Sequence, residues 1–337
     1  MTEILEPTEM EAGWAVVERA VEYKHVRPLS EHRARFVRET QSERNVELGI
    51  APLDREMRGI GPGHLAMVVG YSHSGKTQFA LNVLHHNRDR RVAVFGPDEP
   101  GSLLFIKLAS LVFDVPAAQL EQRVKSGDRD AMRMLDETVD EFPNLLVFDR
   151  PLSPKLMRQS YEEACDWWGA EGDLVVVDYL DLVQAGEGVA AKADAVKMFG
   201  TDNDVPLMLL HQTSRSAGAN GRPMRIDSGN FGGETWATFQ LGVWRKRDAV
   251  AHELADLRAR NVLKDWELDR IAYLEREAAI HQFTLTVNLN KNKRPGGQRI
   301  EDGIDFELYD TGHLRMLSGD LPGQYLRAYG AALRSVQ

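Results

Sequence analysis

Residues 70–77 read Gly70-Tyr71-Ser72-His73-Ser74-Gly75-Lys76-Thr77 and stand between an apolar run, 65–69, and a stretch that reads as a helix, 78–86. This arrangement leaves few folds open. Glycines at both ends let the backbone curl until its N–H groups face one anion. The helix that follows aims the positive end of its dipole at the same place. A lysine after the second glycine can reach the β- and γ-phosphates, and a threonine hydroxyl can ligate Mg²⁺. Strand, glycine-rich turn and helix in that order predict a phosphate cradle for ATP with Mg²⁺, built by Gly70, Tyr71, Ser72, His73, Ser74, Gly75, Lys76 and Thr77.

A strand feeding a helix through such a turn belongs in a parallel sheet, and the rest of the chain agrees. Short apolar runs at 91–95, 145–148, 174–177 and 206–210 read as strands, with helical stretches at 101–113, 117–142 and 154–168 between them. Such alternation predicts an α/β fold: a mainly parallel sheet with helices on both faces. Further strands are expected at 241–244 and 283–289, the latter alternating with period two, and a terminal hairpin at 303–309 and 314–317. These late strands have short polar connections, which predicts an antiparallel extension at one edge. Residues 49–63 are turn-rich, and 214–234 are rich in glycine and arginine and read as a loop.

Several residues then fall where the cradle needs them. The run Leu174-Val175-Val176-Val177 ends in Asp178. An acid at the carboxyl end of a buried parallel strand lies beside the phosphate site and can hold the metal. Asp98 and Glu99 follow the second strand, and either can orient and deprotonate a water; the longer arm of Glu99 favours it, while capping of the next helix is the alternative. Gln212, after the strand 206–210, is placed to sense the γ-phosphate through its amide. Catalytic roles are therefore expected for Lys76, Asp98 or Glu99, Asp178 and Gln212, and metal ligation for Thr77 and Asp178.

Two basic segments remain. Arg215, Arg222 and Arg225 lie in the glycine-rich loop, a composition suited to gripping a phosphate backbone. Lys291, Lys293 and Arg294 form a cationic turn after a late strand, suited either to neutralising a neighbour's γ-phosphate or to binding nucleic acid. A whole-surface nucleic-acid coat is excluded, because 41 basic residues face 51 acidic ones and the net charge is −10. Basic patches must then be local, or gathered into a ring by an oligomer. Nothing approaches the roughly 20 apolar residues of a membrane span, the acidic start lacks the features of a secretory signal, and there is one cysteine, Cys165. A cytoplasmic location is expected, with no membrane partner.

With these residues in order, the chain resembles the RecA-like ATPase domain of DnaB-type replicative helicases, and more loosely RecA and KaiC, over roughly 49–317. The cradle with Gln78 to Asn82 is close to that family's motif. Phe95-Gly96-Pro97-Asp98-Glu99-Pro100 is similar to its acidic segment, and an ungapped match puts Asp98 at the catalytic glutamate. Asp178-Tyr179-Leu180, Leu210-His211-Gln212-Thr213-Ser214-Arg215 and Lys291-Asn292-Lys293-Arg294 resemble three further segments, the last being a finger in which Lys291 pairs with Lys293 or with Arg294. The resemblance implies a RecA-like fold and an ATP-driven helicase or translocase. Its implied partners are single-stranded or forked DNA, further copies of the chain in a hexamer, and a replication loader or a primase. Short forms of this kind are similar to phage-encoded proteins, for which the location is the host cytoplasm. Other readings are a non-motor RecA-like scaffold and a nuclease with an attached ATPase. The expected organisation is a helical arm at 1–47, an ATPase domain at 48–320 with a charged helical insertion at 248–279, and a tail at 321–337.

Overall fold

The computed structural model describes residues 28–41, 44–96, 99–150, 152–213 and 235–318. The chain divides into two compact units, 1–43 and 44–337. In the first, helix α1 spans Leu29–Gln41 with Leu29 and Phe36 exposed. The rest of the expected N-terminal arm, up to residue 27, lies outside the described residues.

The second unit is built on one nine-stranded sheet, in the order β3-β2-β4-β5-β1-β6-β7-β8-β9. Its first six strands are β1 (Leu65–Gly70), β2 (Val92–Phe95), β3 (Leu145–Phe148), β4 (Leu174–Asp178), β5 (Leu207–Gln212) and β6 (Phe239–Trp244). They pair in parallel throughout. Strands β7 (Thr284–Asn292), β8 (Ile300–Leu308) and β9 (Leu314–Met316) then add antiparallel at the β6 edge. The mixed sheet matches the expected class, and each apolar run became a strand.

Period-two alternation divides the core between the faces. Ala66, Val68, Val92, Val94, Val176, Met208, Leu210, Leu241 and Val243 meet Phe79, Leu81 and Val83 of helix α3 (Lys76–His86) and Leu108 and Leu111 of helix α4 (Gly101–Phe113) on one face. Helix α2 (Ala51–Met57) joins them through Leu53 and Met57. On the other face Leu65, Met67, Val69, Phe95, Val175, Val177 and Leu209 meet Met157 and Tyr161 of α7 (Pro154–Trp168) and Val196 and Phe199 of α8 (Gly188–Asp202). Burial on both faces explains why the central strands read as continuous apolar runs.

Four local differences have physical causes. The helix expected over 117–142 is two, α5 (Ala117–Lys125) and α6 (Arg129–Glu141). Gly127 takes φ +75°, and the Asp128 carboxylate caps the second helix by accepting from the N–H groups of Asp130 (2.8 Å) and Ala131 (3.2 Å). The charged insertion is likewise a hairpin of α9 (Lys246–Arg258) and α10 (Asp265–Ile280), with the Glu267 side chain accepting from the Lys264 N–H at 2.8 Å. Helix α2 occupies part of the turn-rich lead-in, because Pro52 in its first turn presets the helical φ. Helix α8 was not expected at all; its buried positions Ala193, Val196 and Phe199 include a small residue that weakens the periodic signal.

Among the described residues no single helix is long and apolar enough to cross a membrane.

Candidate nucleotide site

Strand β1 ends at Gly70 and α3 begins at Lys76, so the loop between them caps the carboxyl edge of the sheet. Its shape depends on its glycines. A Cβ on Gly70 would stand 2.4 Å from Ser74 Oγ and 2.5 Å from the Val243 carbonyl oxygen, contacts that no real Cβ tolerates. Gly75 takes φ +104°, and a Cβ there would stand 2.4 Å from Leu285 Cδ1. At these two positions the loop is packed against Ser74, the Val243 carbonyl and Leu285 too closely for a side chain. Ser74 is fully buried with its Oγ unpartnered. A buried hydroxyl without a partner is costly, and it is suited to bond a bound anion.

Lys76 is 9% exposed, and its Nζ donates to the carbonyl oxygens of Gly70 (3.0 Å) and Tyr71 (2.9 Å). Burial pushes its pKa down to about 8, with Asp178 and Asp181 pulling the other way. The phosphates of a bound nucleotide would raise it again. Nucleotide binding at pH 8 is therefore expected to take up part of a proton. Calorimetry in buffers of different ionisation enthalpy reads this directly: binding heats should differ between buffers for the native protein and coincide for Lys76→Arg, whose guanidinium is always charged. Equal heats for the native protein would contradict the depressed lysine.

Asp178 closes β4, and Thr77 Oγ1 donates to its Oδ2 at 3.4 Å. Hydroxyl and carboxylate oxygens together form the hard donor set that Mg²⁺ prefers, so the residues fit the metal that the motif implies. Gln212 closes β5 in register with Gly70, and the next residue's N–H, that of Thr213, donates to the Gly70 carbonyl at 3.1 Å. The glutamine is thereby fixed beside the first glycine of the cradle. Glu99 is engaged: Lys107, two turns into α4, donates to its Oε2 at 2.5 Å. Asp98 lies outside the described residues, as do Arg215, Arg222 and Arg225.

The cationic turn sits at the other end of the sheet. Asn292 is level with Phe239, and Phe239 with Ala66, four residues short of Gly70. At about 3.3 Å per residue this separates the turn from the cradle by roughly 13 Å along the strands alone. Lys291 Nζ (3.3 Å) and Lys293 Nζ (3.1 Å) both donate to the Thr235 carbonyl. Arg294 grips the Met57 (3.1 Å) and Gly59 (3.2 Å) carbonyls instead, strapping the turn to the end of α2.

Two side chains and one main-chain N–H beside the lysine form a junction that carried no sequence signal. The Tyr71 hydroxyl donates to Asp248 Oδ2 at 2.8 Å and accepts the main-chain N–H of Arg245 at 3.0 Å. Burial raises the Tyr71 pKa, and burial lowers that of Arg245, whose Nε is buried without a hydrogen-bond partner. They lie together because β6 ends beside β1, a pairing invisible in residue spacing.

A parallel sheet with this loop at its carboxyl edge and an acid closing a nearby strand defines a P-loop nucleotide-binding domain of the RecA-like kind. The model of the DnaB-like helicase C-terminal domain matches residues 45–230, more than half of the chain. The chain belongs to that family. It is 27% identical over 203 residues to the replicative DNA helicase DnaB of Pasteurella multocida (strain Pm70), covering 54% of this chain and 42% of the relative. It is 24% identical over 234 residues to the DnaB of Buchnera aphidicola subsp. Schizaphis graminum (strain Sg), covering 63% and 48%. The chain thus spans less than half the length of these two relatives. Among solved structures, a DnaB-like replicative helicase described with its primase interactions superposes with TM-score 0.60 at 17% identity, covering 91% of this chain and 71% of that one. A solved ATPase domain superposes with TM-score 0.63 at 17% identity, covering 86% and 99%. Both show the shared fold.

Proposed function

We propose that the protein is an ATP-driven DNA helicase or translocase of the DnaB-like hexameric type, acting on single-stranded or forked DNA in replication or recombination. The observation that carries the reading is the meeting of Lys76, Thr77, Asp178 and Gln212 at one edge of the sheet, in a chain of this family. The backbone N–H groups of the loop and the Lys76 ammonium bind the triphosphate. Thr77 and Asp178 hold Mg²⁺, which when bound draws charge from the phosphate oxygens. Asp98 or Glu99 orients a water and takes its proton as the water oxygen bonds to the γ-phosphorus and the bond to ADP breaks. The Lys107 contact engages Glu99. Gln212 passes the phosphate state into the segment that follows β5, where Arg215, Arg222 and Arg225 grip the DNA backbone.

Its own cationic turn lies too far along the sheet to serve the cradle of the same chain, which supports a ring in which Lys291 and Lys293 act on the neighbour's nucleotide. The segment 1–47 is the arm that holds the ring, 48–320 the motor and 321–337 a tail. A loader or a primase is a further partner, and the setting is cytoplasmic, of the host for a phage-encoded chain.

Strand separation tests the reading. A forked duplex with a fluorophore and quencher at the junction should open with ATP and Mg²⁺ and stay closed with a non-hydrolysable analogue. A fork that never opens, at any tail polarity and at saturating protein, would remove the motor. Replacing Arg222 and Arg225 together with alanine should weaken single-strand binding and lower the slope of log K against log salt by about 1.4, roughly 0.7 for each phosphate no longer neutralised. Titration at several salt concentrations checks this, and an unchanged slope would exclude the loop as the grip.

A further inference from the structure

The helical hairpin α9–α10 lies beyond the segment matched by the family model, yet it is hydrogen-bonded to the cradle. Asp248, in the first turn of α9, accepts the Tyr71 hydroxyl at 2.8 Å. Tyr71 is one of the two residues whose main-chain carbonyls hold the Lys76 ammonium, at 2.9 Å. One residue therefore joins the phosphate-binding lysine, through its backbone, to the hairpin, through its side chain. The Arg245 N–H completes the junction by donating to the same hydroxyl at 3.0 Å.

The two helices of the hairpin are linked to each other and to the sheet behind that junction. Arg270 forks onto Glu253 at 2.8 and 2.9 Å, and Arg258 meets Glu275 at 2.5 Å, so α9 and α10 are cross-braced. At the root, Lys246 pairs with Asp305, which also accepts from Thr286 Oγ1 at 2.7 Å. A loop of small and flexible residues would otherwise sample many shapes before a nucleotide arrives, and ordering it would weaken binding. Anchoring its second residue to a braced element removes part of that cost.

Resting on the reading of 70–77 as an ATP site, we propose that Asp248 is a positioning residue for the cradle: through the Tyr71 hydroxyl, the α9–α10 hairpin presets the loop for nucleotide, and nucleotide in turn steadies the base of the hairpin. The coupling is reciprocal by thermodynamic necessity. Because the loop must be ordered before the phosphates are bound, the effect is read on nucleotide affinity.

The experiment measures binding of a non-hydrolysable ATP analogue with Mg²⁺ to the full chain by calorimetry, and amide hydrogen exchange over 246–252 with and without the analogue. Tyr71→Phe and Asp248→Ala are each expected to weaken binding about 5- to 10-fold, on the scale of one net intramolecular hydrogen bond. Their double variant should be no weaker than either alone. Asp248→Asn keeps an acceptor oxygen and should recover most of the affinity. In the native protein the analogue should slow exchange over 246–252, and in Tyr71→Phe it should not. Melting curves without nucleotide confirm that each variant is folded. Failure of the native protein to bind the analogue would overturn the ATP site and this proposal with it. Native binding with unchanged affinity in both single variants, additive losses in the double variant, or exchange at 246–252 indifferent to the analogue would overturn the proposal and leave the ATP site standing.

Discussion

Replacing Lys76 with alanine is expected to cut ATP turnover by about 10²- to 10³-fold, the scale on which a preorganised group facing transition-state charge contributes. The ammonium lies 3.0 and 2.9 Å from two loop carbonyls and is nearly enclosed, so no neighbouring cation can replace it. The fold should survive. The free lysine titrates near 10.5 and the folded one near 8. Between those values the unfolded chain binds more protons, so the lysine's contribution to stability rises with pH across this window; below pH 8 its buried charge is a net cost. Removing it at pH 7 should therefore leave the melting temperature within about 4 °C of the native value or raise it. Steady-state hydrolysis and thermal melting check the two halves. Native turnover in the variant would remove the catalytic assignment, and a collapse in melting temperature would make the lysine a structural residue.

The second large effect is expected on the far edge of the sheet. Changing Lys291 and Lys293 together to alanine should lower turnover about 10³-fold or more, as loss of a trans-acting cation does in related phosphoryl-transfer sites. Arg294 is left in place because it ties the turn to Met57 and Gly59, and its loss would confuse folding with chemistry. The double variant has an intact cradle, and Lys76→Ala has an intact turn. Mixed in equal amounts and allowed to exchange subunits, they should regain activity at about one quarter of the interfaces, since each working site needs one half from each variant. Turnover of the mixture no higher than the sum of the separate variants would exclude sites shared between subunits. A ring also reconciles the net charge of −10 with a DNA partner, because local arginines from several copies would line one channel.

Much of this was readable before the fold was. The strands were legible because the buried parallel ones are unbroken apolar runs and β7 alternates apolar and polar side chains with period two. Gln212 and Asp178 were legible because strand ends at the carboxyl edge of a parallel sheet converge on the cradle. Helix α8 was not, because its sequence Gly188-Val189-Ala190-Ala191-Lys192-Ala193 lacks large apolar residues at helical spacing. The split between α5 and α6 could have been read from Gly127 followed by Asp128, a stop and a cap in succession. The bond from Tyr71 to Asp248 could not, since 177 residues separate them and only the placement of β6 beside β1 brings them together. The Lys107 contact is closer in sequence, eight residues from Glu99, and an acid before a helix with a lysine two turns inside it is a pattern that one could look for.

We infer that this edge of the sheet hydrolyses ATP in the service of DNA. Steady-state phosphate release by the purified chain, with Mg²⁺ and with or without single-stranded DNA, tests it most directly. Mg²⁺-dependent release is expected, rising several-fold with DNA and disappearing in Lys76→Ala. Release that is absent under all of these conditions, or present and indifferent to both DNA and the lysine, would contradict it.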